Sequence, residues 1–169
     1  LGSTMWGVLY GTKAFLPMMQ AQREGCIVNI SSVFGLIAYP TQSAYNMSKV
    51  ALGAMSDSLR RELRPHGVDV IVIEPGGVKT PIWDKGLDDI DDRKAAFGEE
   101  AMQLYGPLIG AVERESRKIA AETGLPPSAV AEVIGSALTA KRPRTRYLVG
   151  RDAKLRAGLA GVLPDRVFD

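Results

Sequence analysis

Tyr45 and Lys49 stand one helical turn apart in the run Tyr-Asn-Met-Ser-Lys. On a helix this spacing puts a phenol and an ammonium on the same face, where the cation favours the phenolate and lowers the tyrosine pKa from about 10. Such a pair makes a proton donor and acceptor for carbonyl chemistry near neutral pH. Upstream, Gly25-Cys26-Ile27-Val28-Asn29-Ile30-Ser31-Ser32 reads as a buried strand that ends in two hydroxyl residues, followed by Gly35. Ligands of open α/β sheets bind at the carboxyl ends of strands, so either serine is delivered where chemistry is expected.

The elements around the pair follow a regular order of helices and strands. The pattern from Met5 to Gln22 predicts one helix kinked at Pro17 and broken by Gly25. From Ala44 to Leu63, the residues Ala44, Met47, Ala51, Leu52, Met55 and Leu59 recur at helical spacing and predict a long helix lying on one sheet face. The β-branched run Val70 to Ile73 predicts a buried parallel strand, and Pro75-Gly76 ends it with a turn expected to expose backbone amides. Between Pro81 and Gly124 lie the acidic run Asp88-Asp89-Ile90-Asp91-Asp92 and an amphipathic helix with Met102, Tyr105, Leu108, Ile109 and Val112. The aspartates lack an ordered ligand spacing and read as a solvated loop or helix start, not a metal site. A short helix with Val130, Val133, Ile134, Ala137 and Leu138 then leads to a final strand, Tyr147-Leu148-Val149.

Trp6, the stretch Gly7 to Pro17, the Asn29-Ile30-Ser31-Ser32 strand end, Tyr45/Lys49 and the run Val70 to Thr80 occur in order and in register. On these motifs the chain resembles the carboxyl-terminal part of a short-chain dehydrogenase/reductase, from Trp6 to Val149. The resemblance implies an incomplete Rossmann-like doubly wound parallel α/β sheet. It makes Tyr45 the general acid/base, has Lys49 bind the nicotinamide ribose and tune the tyrosine, and has a serine hold the substrate oxygen. The family's serine-to-tyrosine interval selects Ser32, thirteen positions before Tyr45, and leaves Ser31 as a strand-end hydroxyl bonded to backbone. Pro75, Gly76, Val78 and Thr80 fall where the family contacts the nicotinamide carboxamide and phosphates. The insertion 81–126 corresponds to a lid over the substrate pocket, with Trp83 as a pocket wall. The two long helices correspond to a homo-oligomer interface. The helix, Arg-Pro-Arg, strand, glycine layout near Arg142 is similar to the retinol and hydroxysteroid dehydrogenase branch, which implies a hydrophobic alcohol or ketone as substrate.

Two departures stand out. A dinucleotide site needs a glycine-rich turn from a first strand into a helix N-terminus, and none of the glycines here forms G-x-G-x-x-G after a strand. The amino-terminal βαβαβ half is therefore expected to be absent, and with it the acidic residue that separates NAD from NADP. Thr4 occupies the position where the family usually has an asparagine, and a hydroxyl replaces only part of that amide's hydrogen bonding.

Composition agrees with a soluble α/β protein: 46% of the 169 residues are hydrophobic, 24% are charged and the net charge is +2. One domain, 1–150, is expected, followed by a basic, modestly amphipathic tail over 151–169 that offers a docking face to a subunit or a membrane surface. Nucleic acid is not expected as a partner, because the basic residues from Lys141 to Arg156 are not interleaved with aromatics. Cys26 reads as a small core residue, and one cysteine with one histidine gives neither a disulfide framework nor a metal cluster. His66, between Pro65 and Gly67, reads as a helix-end residue. The start lacks a basic segment followed by an apolar one, and no run reaches the roughly 20 apolar residues of a membrane span, so a cytoplasmic location is expected.

Two functions fit: an NAD(P)-dependent oxidoreductase, or a truncated, non-catalytic relative that acts through helix-mediated association with another subunit.

Overall fold

The computed structural model describes residues 2–84 and 94–168. Three parallel strands form its sheet in the order β1-β2-β3: β1 (Gly25–Ile30), β2 (Val68–Pro75) and β3 (Arg146–Val149). β2 is central and is buried at every residue except Asp69, as expected of a β-branched run covered on both faces. Its register sets Ile30 beside Ile73 and Val149 beside Pro75, so all three strands finish at one edge of the sheet. Among the described residues β1 pairs with β2 alone.

A single π-turn, Gly2–Trp6, leads into α1 (Gly7–Gln22), which contains Pro17. The helix is ended by Arg23, not Gly25. Arg23 takes a left-handed conformation at φ 55° and donates its N–H to the carbonyls of Gln20 and Met19. Gly25 instead opens β1, where an added Cβ would meet Met19 Cγ at 2.8 Å. Leu16, Met19, Ile27 and Leu59 pack on the buried cluster of Leu63, Val68 and Val70.

Helix α2 (Ser43–Leu63) carries the tyrosine and lysine and packs on β2. Its buried residues are Asn46, Ser48, Lys49, Leu52, Gly53, Ser56 and Leu63, whereas Ala44 and Met47 are exposed. The helix is thus rotated from the orientation that its apolar spacing predicts. Polar side chains face inward because the sheet and loops supply partners: Asn29 donates to Ser56 Oγ at 2.9 Å, and Ser56 Oγ donates to Leu52 O at 2.7 Å. His66 lies in a 3₁₀ turn, Arg64–His66, that closes α2 and is capped by Gly67 at φ 71°.

The chain divides into two compact units, one made of Leu1–Gly76 with Ala129–Asp169 and the other of Gly77–Ser128. The second contains α3 (Glu99–Lys118), a π-turn Ile119–Thr123 and a parallel bridge between Val78 and Leu125. On its surface Glu113 pairs with Lys94 at 2.7 Å and with Arg117 at 2.8 Å. The aspartate run 88–92 lies outside the described residues. Helix α4 (Pro127–Thr139) returns the chain to β3, after which come α5 (Arg151–Ala160) and a last turn, α6 (Asp165–Phe168). The stretch after Gly150 packs within the first unit, with Ala153 fully buried against Val33 and Ile37. Among the described residues no helix is long and apolar enough to cross a membrane.

Candidate active site

The site begins where β1 runs out. Ser31 continues the ladder by donating its N–H to Ile73 O at 2.8 Å, and its buried hydroxyl donates to Lys49 O at 3.3 Å. Ser31 is therefore a backbone-bonded hydroxyl. Ser32, in extended conformation at φ −165°, caps the 3₁₀ turn Val33–Gly35 by accepting the Phe34 N–H at 3.2 Å. Gly35 lets this turn lie directly against α2, since an added Cβ would meet Ser31 Oγ at 2.9 Å and Lys49 O at 3.1 Å.

Tyr45 stands in the first turns of α2, 37% exposed, with its ring edge against Phe34 at 6.1 Å; Phe34 in turn stacks on Tyr39 at 5.0 Å. Its phenol shares a hydrogen bond with the Ser32 side chain. Lys49 is 7% exposed, donates from Nζ to Ile30 O at 3.0 Å and holds its ammonium 5.4 Å from the Tyr45 ring centroid. Ser32, Tyr45 and Lys49 thus converge at the carboxyl end of β1.

The electrostatics differ from the expectation drawn from the pair alone. Burial pushes the Tyr45 phenol above its ordinary value, and the hydrogen bond from Ser32 opposes that rise without cancelling it. Burial pushes Lys49 down. Desolvation acts on both members because Lys49 is buried and the Tyr45 ring is partly covered by Phe34, so each charged form loses water.

One residue of this site escaped the sequence reading. Asn46 is buried, donates through Nδ2 to Phe34 O and to Ile37 O, both at 2.8 Å, and accepts the Tyr39 N–H at 3.3 Å. It ties the loop that follows Ser32 to the helix that carries Tyr45. Its position inside Tyr-Asn-Met-Ser-Lys was the available signal, because asparagine is a poor helix former whose amide seeks backbone groups. The same loop contains Thr41 at φ 65°, an uncommon conformation for a β-branched residue.

Pro75 and Gly76 end β2 beside β3. The Gly76 N–H donates to Val149 O at 2.9 Å, so this amide is engaged in the sheet and is not exposed as the turn chemistry predicts. A Cβ on Gly76 would meet the Asp152 carboxylate, which would have to swing aside to admit it. Val78, Thr80 and Trp83 belong to the second unit, where Trp83 Nε1 donates to Val78 O at 2.6 Å and the Trp83 N–H to Thr80 O at 3.3 Å. Thr4 is half-buried in the π-turn, which packs against α2. Cys26 is half-buried, and burial followed by the charge of Asp69 pushes its thiol up. Among the described residues no group of histidine, cysteine or carboxylate side chains is arranged to hold a metal.

Residues 3–91 match the family described as short chain dehydrogenase. The chain is 36% identical to the NADPH-dependent 3-dehydrocapnine reductase of Ornithobacterium rhinotracheale over 95% of this chain and 56% of that protein. It is 38% identical to retinol dehydrogenase 5 of Mus musculus over 94% of this chain and 50% of that protein. Among solved structures, a short chain dehydrogenase/reductase from Burkholderia phymatum in complex with NAD superposes with a TM-score of 0.69 at 27% identity, covering 92% of this chain and 54% of that one. The sheet is thus part of a Rossmann-like fold, and the chain spans about half the length of the relatives it matches.

Proposed function

Because the chain belongs to the short chain dehydrogenase family, we propose that it carries the proton-handling half of a nicotinamide-dependent alcohol or ketone oxidoreductase. The observation that carries this reading is the convergence of Ser32 and Lys49 on Tyr45 at the end of β1. Ser32 holds the substrate oxygen, Tyr45 exchanges a proton with it, and Lys49 binds the nicotinamide ribose and stabilises the phenolate when it forms. When bound, the nicotinamide gives or takes the hydride.

The residues present fit the nicotinamide end of such a cofactor. One hydrogen bond to Ile30 leaves Lys49 two N–H donors for ribose hydroxyls. Pro75, Gly76, Val78 and Thr80 are assigned to the carboxamide and phosphate side; the Gly76 amide, bonded to Val149, serves there through shape alone. The sequence offers no glycine-rich strand-to-helix turn for the pyrophosphate. This chain by itself therefore binds NADH or NADPH weakly, and its nucleotide preference is open: one relative is named for NADPH, and one similar structure holds NAD.

The substrate is a hydrophobic alcohol or ketone, in keeping with the resemblance to a retinol dehydrogenase. Trp83 is assigned to the substrate side, and the protein works in the cytoplasm as a homo-oligomer. The deciding experiment places this chain behind an amino-terminal nucleotide-binding half and measures ketone reduction. Tyr45→Phe lowers kcat at least about a hundredfold. Undiminished turnover overturns the assignment.

A second reading is favoured by exposed apolar residues on the two long helices: Trp6, Tyr10, Phe15 and Met18 near or on α1, and Met47 and Val50 on α2. The chain is then a non-catalytic partner that associates through these helices. Concentration-dependent self-association without saturable nicotinamide binding supports it.

A further inference from the structure

Helix α5 faces the protein with its small residues and the solvent with its large ones. Ala153 and Ala160 pack into the cluster around Val33 and Ile37, whereas Leu155 is 64% exposed, Leu159 42% and Val162, just beyond the helix, 83%. With about 100° of rotation per residue, Arg151, Leu155 and Leu159 share one stripe, and exposed Lys154 borders it. A folded chain rarely leaves leucines outward while alanines fill the inner face, unless something covers the outer one.

Charge selects the occupant. Between Lys141 and Arg166 the sequence holds 8 basic and 2 acidic residues, and the rest of the chain is net negative. Not all of these charges are available, since Arg146 is bound to Glu74 and Asp57, and Asp152 and Arg156 have partners of their own. Arg151 and Lys154 are exposed on or next to the apolar stripe. A second copy docked about a two-fold axis would bring two faces of like positive charge together. Nucleic acid would leave the leucines unused, and no aromatic side chain lies on the stripe for a base to stack on. A bilayer surface rich in acidic lipid takes the leucines into its acyl boundary and the cations into its headgroups.

We propose that the outer face of α5, through Leu155, Leu159 and Val162 with Arg151 and Lys154, docks peripherally on an anionic membrane surface. The inner face of the same helix rests on the turn that Ser32 caps. The docked bilayer therefore lies about one helix diameter, roughly 10 Å, from that turn. Entry of a hydrophobic substrate directly from the bilayer rests on the oxidoreductase reading above; the docking itself does not.

The test is sedimentation of the 169-residue chain with phosphatidylcholine vesicles, with and without about 30% phosphatidylglycerol. Binding is at least about tenfold stronger to the acidic vesicles and weakens with salt. The Leu155→Ser/Leu159→Ser variant loses it, and Arg151→Gln/Lys154→Gln lowers it about thirtyfold, while Tyr45→Phe leaves it unchanged. Circular dichroism verifies that each variant is folded; both pairs are on the surface, and either alone suffices. Equal binding to neutral vesicles, retained binding in a folded leucine variant, or a dimer that the leucine substitutions dissociate would overturn the proposal. No nicotinamide is present in the assay, so its failure leaves the oxidoreductase reading standing, and failure of the turnover experiment leaves this one standing.

Discussion

The Lys49 ammonium donates to the Ile30 carbonyl at 3.0 Å, so the cation beside Tyr45 also fastens α2 to the end of β1. The last carbonyl of the strand would otherwise face the helix without a partner. Lys49→Met removes that donor and lowers stability by about 1–3 kcal/mol in urea unfolding. Lys49→Arg retains a donor and recovers part of the loss. Equal stability of the methionine variant and the parent would show that the contact is dispensable.

Tyr45 titrates above the ordinary phenol value in the chain without nucleotide, because burial outweighs the hydrogen bond from Ser32. The sign follows from linkage: a group with a raised folded pKa contributes stability that is complete below its unfolded value of 10.0 and is lost as pH rises through the folded value. Phenolate absorbance near 295 nm, an approximate maximum, compared between the parent and Tyr45→Phe, isolates this step. In Ser32→Ala the phenol moves further up, since the group that lowers it is gone. A downward movement would contradict the hydrogen bond.

Asn46→Ala leaves the carbonyls of Phe34 and Ile37 without their side-chain donor. Stability falls by about 1–3 kcal/mol, and amide exchange accelerates across 34–39 more than in β2. Exchange that increases uniformly would mean that Asn46 supports the whole unit and not this loop in particular.

Arg146 joins three elements, donating to Glu74 on β2 and to Asp57 on α2 at 2.6 Å. Burial raises Glu74, with Arg146 opposing; burial also presses Asp57 upward, but Arg146 together with Arg60 and Arg61 more than offsets it and leaves Asp57 lowered. Arg146→Met strands a buried carboxylate and costs about 3 kcal/mol at neutral pH. Glu74 has a raised folded pKa, so its favourable contribution is complete below 4.5 and is lost as pH rises. The defect of Arg146→Met is therefore smaller in mild acid, and Arg146→Met/Glu74→Gln regains part of it. A pH-independent defect would rule out this account.

Gly35→Ala forces Ser31 or the Lys49 backbone to move, since the contacts are 2.9 and 3.1 Å. The cost is about 1–3 kcal/mol, accompanied by a shift in the Tyr45 titration as the Ser32 turn lifts from α2. An unchanged titration would separate the packing of this turn from the phenol.

Much of this was legible from local pattern. The Tyr45/Lys49 interval, the apolar run of β2 and the serines that end β1 each reflect a short-range rule of helix or strand. The parts that were not legible depend on partners far away in the chain. Glu74 and Arg146 are 72 positions apart and Asp57 and Arg146 are 89, and only folding makes them a cluster. The rotation of α2 escaped for the same reason: its inward polar residues are stable because Asn29, Phe34 and Ile37 meet them. Arg23 ended α1 because an unbranched side chain tolerates the left-handed turn at a cost of about 1–2 kcal/mol, and glycine a little later drew the expectation away.

The polar inner side of α2 acts as a key with several teeth. A turn of the helix about its axis, or a slip along it, would withdraw Asn46, Lys49 and Ser56 from their mates together, so the rod has one seat. Its outer side, with Met47 and Val50, has no share in that lock. Substitution there is free to redesign what the rod meets outside while the tyrosine keeps its aim.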